Sequence, residues 1–110
     1  NRKFGRERNQ RRAFLRSLAV NLIAHGKIKT TTARAKELRP LIEKLVTRAR
    51  AGDLAARRLL AARLGRLEAA QKLITEIAPR YLKRPGGYTR ITRLPARLSD
   101  GSPQALIEFV

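Results

Sequence analysis

Leu38, Leu41, Ile42, Leu45, Val46 and Ala49 stand at i, i+3, i+4, i+7, i+8 and i+11. No other feature constrains the fold as strongly. Residues so spaced share one face of a helix with 3.6 residues per turn, and a stripe that apolar must be buried against the rest of a 110-residue chain. Phe14, Leu15, Leu18, Ala19, Leu22 and Ile23 predict a second stripe, in a helix starting near Arg8 and closed by Gly26. Thr31 or Thr32 is the expected N-cap of the central helix, and Pro40 is expected to kink or divide it. Asp53 predicts the cap of a third helix carrying Leu54, Leu59, Leu60 and Leu64. After Gly65 a fourth presents Ala70, Leu73, Ile74 and Ile77 on one side until Pro79 ends it.

The last third of the chain changes period. Arg84-Pro85-Gly86-Gly87 is turn chemistry. Tyr88 to Leu94 is β-branched and aromatic and reads as a strand, and residues 105–110 read as a second, antiparallel to it. In the latter, Ala105, Ile107 and Phe109 share one face while Leu106, Glu108 and Val110 share the other. Two strands alone are marginal, so the extended piece at Lys27-Ile28-Lys29-Thr30 is the candidate third. The class is α+β: about four helices on a small three-stranded sheet, covered on one side. Residues 1–7 form a basic arm, and residues 8–110 form a single domain. The opening Asn1-Arg2-Lys3 has no initiator Met and no hydrophobic signal region, which points to a trimmed front.

Charge indicates the kind of partner. Twenty-six Lys and Arg stand against eight Asp and Glu, a net charge of +18. Such an excess repels itself unless a polyanion cancels it, and nucleic acid is the common polyanion of that strength. Arg2, Lys3, Arg6, Arg8, Arg11, Arg12 and Arg16 crowd the start, opposed by Glu7 alone, while Arg80, Lys83, Arg84, Arg90, Arg93 and Arg97 form a second group. The chain has no Cys, which excludes disulfides and thiolate metal sites. Its eight acids are scattered without metal-ligand spacing, and His25 stands alone at a helix end, where terminal carbonyls are its expected partners. Metal, cofactor and small-molecule substrate are therefore not expected, nor is an enzyme. A DNA-binding regulator would need a recognition helix and often a dimer seam, and neither is recognisable. A membrane-surface peptide would need aromatic anchors, against an aromatic content of 5%.

Candidate contacts follow from the same pattern. Arg2, Lys3 and Arg6 belong to an arm expected to order on its partner. Arg8, Arg12 and Arg16, spaced by four, form a ridge along the first helix with no acid at that spacing, and Arg11 adds to it. Lys27, Lys29, Thr30 and Thr31 precede a helix whose N-terminal amides can also receive phosphate. Lys36 and Arg39 either extend that surface or are simply solvated. Gly86 and Gly87 either admit close approach of RNA or make a plain tight turn. Tyr88 either stacks on a splayed base or packs in the core. Arg80, Arg84, Arg90 and Arg93 complete the set. Such contacts position a protein without reading bases.

Specific strings carry a resemblance. Ile28 to Arg39, Ile-Lys-Thr-Thr-Thr-Ala-Arg-Ala-Lys-Glu-Leu-Arg, resembles the signature of the bacterial-type large-subunit ribosomal protein L17 family. Arg2-Lys3-Phe4-Gly5-Arg6, then Ala78-Pro79-Arg80-Tyr81 with Arg84-Pro85-Gly86-Gly87-Tyr88-Thr89-Arg90-Ile91, and the closing residues 105–110 are similar to its other blocks, in order along essentially the whole chain. The resemblance implies helices on a small mixed sheet and a structural role in the large ribosomal subunit. It further implies contact with 23S-type rRNA and neighbouring ribosomal proteins around the exit of the nascent-chain tunnel, without catalysis or a membrane. The implied location is the ribosome of the bacterial cytoplasm, an organellar ribosome being the alternative. Two departures stand out. The short basic segment with which the family usually begins is absent before Asn1. Arg8-Asn9-Gln10-Arg11 stands where many members carry Ser-Ser-His-Arg, which exchanges two hydroxyls and an imidazole for a guanidinium.

Overall fold

The central amphipathic pattern becomes helix α2, Thr32–Ala49. In the computed structural model, which describes residues 2–96 and 100–110 with side chains from residue 7 onward, the Thr31 hydroxyl caps this helix by accepting from the Arg34 amide at 3.3 Å. Leu38, Ile42, Leu45, Val46 and Ala49 are buried along it. Pro40 does not divide it: the helix runs unbroken, with the ring on the exposed side and the stripe buried on both sides of it. Burial of leucine and isoleucine side chains contributes about 1.5–3 kcal/mol each, comparable to the cost of about 3 kcal/mol for an interior proline.

Around α2 pack α1 (Arg2–His25), α3 (Leu54–Leu64) and α4 (Leu67–Lys72). α1 is continuous from Arg2, ahead of the start expected at Arg8. The side chains of residues 1–6 lie outside the described residues, so the basic arm with Arg2, Lys3 and Arg6 rests on the sequence alone. The same holds for Arg97. On α1, Ala19, Leu22 and Ile23 are buried and Leu15 and Leu18 half-buried, as the stripe requires, but Phe14 is 43% exposed. Phe14 lies at the edge of the stripe, and the Arg34 guanidinium stands over its ring, 4.4 Å from the centroid.

Asp53 caps α3 by accepting from the Ala56 amide at 2.8 Å, and Gly65 ends it in the left-handed region at φ 71°. Pro79 does not end the following helical segment. α4 continues through a π-helical turn, Leu73–Ile77, into a 3₁₀ turn, Ala78–Tyr81, with Pro79 near its start. The Ala78 amide reaches back five residues to the Leu73 carbonyl, so the bonding register changes just before the residue that has no amide to give.

The sheet has the order β1 (Lys27–Thr31), β3 (Gln104–Phe109), β2 (Thr89–Leu94). It is antiparallel throughout rather than mixed: β1 and β2 run the same way, but β3 lies between them and opposes both. Ile28, Thr30, Ile91, Ala105 and Ile107 face the helices, and Ala105 and Ile107 are fully buried there. Lys27, Lys29, Arg90, Thr92, Leu106 and Glu108 share the other face.

One carboxylate ties sheet to helix. Glu43 of α2 accepts from the Tyr88 amide at 3.1 Å, the Thr89 amide at 3.3 Å and the Thr89 hydroxyl at 3.0 Å. The chain entering β2 is buried, so those amides need protein partners, and Glu43 supplies them.

Candidate nucleic-acid interface

A helix longer than the body it packs against carries its overhanging turns into solvent. α1 does this: its buried residues begin at Ala19, whereas Arg8, Arg11, Arg12 and Arg16 are all exposed. At 100° per residue, Arg8, Arg12 and Arg16 follow the same side of the helix as Leu15, Ala19 and Ile23. Cations thus occupy the line where apolar residues would continue the core. Among the described residues no ion pair engages Arg8, Arg12 or Arg16, while Arg11 is paired with Glu37 of α2. Arg16 has a second contact. A Cβ on Gly65 would lie 3.5 Å from the Arg16 Cδ, which places the guanidinium stem over the C-terminus of α3, where a cation is favoured.

The outer face of the sheet is the second cationic surface. Lys27 lies opposite Glu108 and Lys29 opposite Leu106 on β3. On the other flank Arg90 grips the same Glu108 with Nε at 3.1 Å and Nη2 at 2.8 Å. Glu108 is engaged by Arg90, and the two lysines beside it remain exposed. Thr30 does not join them: it points to the helix side and is 9% exposed. Thr31 spends its hydroxyl on the α2 cap. Lys36 and Arg39 are exposed on α2, with the Arg39 Nε 3.9 Å from Glu43.

The second basic group is not one patch. Arg90 belongs to the outer sheet face, whereas Arg93 lies opposite Ala105 on the helix side, exposed near the end of the sheet. Arg80 and Arg84 are exposed around the turn that precedes β2. Gly86 has open space where a Cβ would be and an ordinary φ, whereas Gly87 holds φ 68°. Tyr88 is a core residue and not a stacking platform. It is fully buried, its ring packs against Tyr81 with centroids 5.1 Å apart, and its hydroxyl accepts from Arg50 Nη1 at 3.0 Å and donates to the Arg84 carbonyl at 3.1 Å.

The structure exposes further cations beyond those the sequence pattern marks, among them Lys44 and Arg48 on α2 and Arg57, Arg58 and Arg63 on α3. Their signal was the excess of Arg over acid from residue 44 to 66, which contains Asp53 alone. Among the described residues no three His, Asp or Glu side chains gather as a metal site, and no helix is long and apolar enough to cross a membrane.

The family model described as Ribosomal protein L17 matches residues 14–110. The chain is similar to the large ribosomal subunit protein bL17 of Helicobacter acinonychis, with 54% identity over 109 residues, 99% of this chain and 94% of the relative. The protein of the same name from Gemmatimonas aurantiaca is 51% identical over 110 residues, 100% of this chain and 93% of the relative. That from Thermomicrobium roseum is 52% identical over 109 residues, 99% of this chain and 93% of its own.

Proposed function

The chain belongs to the ribosomal protein L17 family, and we propose that, as a structural constituent of the large ribosomal subunit, it holds 23S-type rRNA mainly through phosphate contacts around the exit of the polypeptide tunnel. It is a component of a particle and not an enzyme. The observation that carries the rRNA reading is the ridge of Arg8, Arg12 and Arg16, exposed and without an acidic partner among the described residues, on a chain of net charge +18. A guanidinium offers planar paired donors that match phosphate oxygens. Three of them a helical turn apart can follow a sugar-phosphate backbone and so fix orientation without reading sequence.

The outer sheet face gives the second anchor, with Lys27 and Lys29 beside the Glu108–Arg90 pair. The basic arm at residues 1–7 adds Arg2, Lys3 and Arg6, and is taken to settle in a groove of the rRNA. Lys36, Arg39, Arg80, Arg84 and Arg93 extend the charged surface, next to which other ribosomal proteins of the subunit pack. The ridge is tested by replacing Arg8, Arg12 and Arg16 together with Gln. All three are exposed, so the helix should be retained by circular dichroism while affinity for large-subunit rRNA falls by roughly 100-fold at 0.1 M salt, at about 0.7–0.9 in log–log slope per lost phosphate. Unchanged affinity would show the ridge to be solvated surface.

A further inference from the structure

We propose that a trough crossing α2 between α1 and α3 receives unpaired RNA, with bases on a leucine floor and phosphates on a cationic rim. The proposal rests on the rRNA reading above and adds the form of nucleic acid that this face selects.

Two hollows lie side by side here, of about 510 Å³ and about 420 Å³. Both are lined by Leu41, Leu45 and Arg63, so they adjoin across α2. Half-buried Leu15, Leu41 and Leu59 give the floor its accessible apolar surface, with Leu45 and Leu64 buried beneath them, and the hollow runs on toward Pro85 and Gly86. Arg12 and Arg16 of α1, Lys44 and Arg48 of α2, and Arg63 of α3 stand around it. Among the described residues that line it the only acid is Glu43, whose carboxylate is engaged by the Tyr88 and Thr89 amides and the Thr89 hydroxyl. Every charge left free along the trough is therefore positive.

The combination decides between ligand forms. A duplex buries its base faces in its own stack and would use the rim but not the floor. Unpaired nucleotides offer phosphate and apolar base together. An acidic amphipathic peptide would also satisfy both features. Continuity favours RNA: Arg12 and Arg16 belong at once to the α1 ridge and to the rim, so a backbone following the ridge leads directly into the trough. The open space at Gly86 leaves its far end unobstructed.

The test uses the full chain and fluorescence anisotropy at 0.1 M salt. The probes are a twelve-nucleotide uridylate strand, an RNA duplex of equal length and a peptide alternating Glu and Leu. Lys44→Gln, Arg48→Gln and Arg63→Gln, combined, leave the ridge intact. Three lost phosphate contacts should weaken single-strand binding by roughly 100-fold and flatten its log–log salt slope by about 2, with only a few-fold effect on the duplex. Leu59→Gln, at a half-buried floor position, should weaken single-strand binding several-fold without changing the slope. Equal losses for strand and duplex, insensitivity of the strand to both variants, or tighter capture of the peptide than of the strand would each overturn the trough proposal while leaving the ridge intact. A wild-type chain that binds neither RNA form would instead overturn the rRNA reading itself.

Discussion

Replacing Glu43 by alanine removes the acceptor of two buried amides and one hydroxyl at the start of β2. Tyr88 is fully buried and Thr89 is 3% exposed, so water cannot readily substitute. A buried donor left without a partner costs about 1–3 kcal/mol. Two such amides give roughly 2–6 kcal/mol for Glu43→Ala, with the hydroxyl free to turn elsewhere. At about 4 °C of melting temperature per kcal/mol for a chain of this size, the midpoint should fall by roughly 8–24 °C. Glu43→Gln keeps an acceptor oxygen but loses the charge and half the capacity, and should cost about 1–2 kcal/mol. Arg39→Ala separates this tether from the nearby ion pair. Its Nε is 3.9 Å from the carboxylate and the side chain is 48% exposed, so it should cost at most about 0.5 kcal/mol. Urea unfolding followed by circular dichroism gives the three values, and hydrogen exchange at the Tyr88 and Thr89 amides reports the contact directly. A Glu43→Ala cost below about 0.5 kcal/mol, or unchanged protection of those amides, would refute the idea that this carboxylate holds the strand.

Other outcomes follow from single side chains. Gly86→Ala should leave the melting temperature unchanged, because a Cβ there meets open space; a loss of rRNA affinity in that stable variant would mark close approach of RNA, and unchanged affinity a plain turn. Gly87→Ala, at φ 68°, should cost about 1–2 kcal/mol in thermal unfolding. Phe14→Ala should cost less than about 1 kcal/mol, against about 3–5 for a buried phenylalanine; a core-sized loss on urea unfolding would contradict its exposed placement. Asp53→Ala removes the α3 cap and should lower stability by about 1 kcal/mol, measurable in the same titration.

The parts of the fold legible in the sequence are those set by local rules. The α2 stripe, the caps at Thr31 and Asp53 and the alternation of Ala105, Ile107 and Phe109 each depend on spacing or on one residue's own chemistry. What tertiary packing decides was hidden. Phe14 matches helical spacing as well as Leu18 does, and only the position of α2 leaves it at the edge under Arg34. Pro79 is a stop signal unless the preceding turn changes register, as it does in the π turn at Leu73–Ile77. Tyr88 at a strand start fits either a stack or a core, and Arg50 and Tyr81 arriving from elsewhere make it core. Glu43 looks like a solvated helix acid until β2 is laid across it. The same holds for the interface. The α1 ridge is readable because three arginines at one spacing have no acid at that same spacing. The rim cations Lys44, Arg48 and Arg63 come together only when α2 and α3 pack.

The most direct measurement of the central claim is the salt dependence of binding between the full chain and large-subunit rRNA, from 50 to 400 mM monovalent salt. Arg8, Arg12, Arg16, Lys27 and Lys29 alone, each neutralising one phosphate, should give a log–log slope of about −3.5 to −4.5 or steeper. A slope near zero, with affinity intact, would mean that the cationic faces do not meet phosphate and would contradict the account.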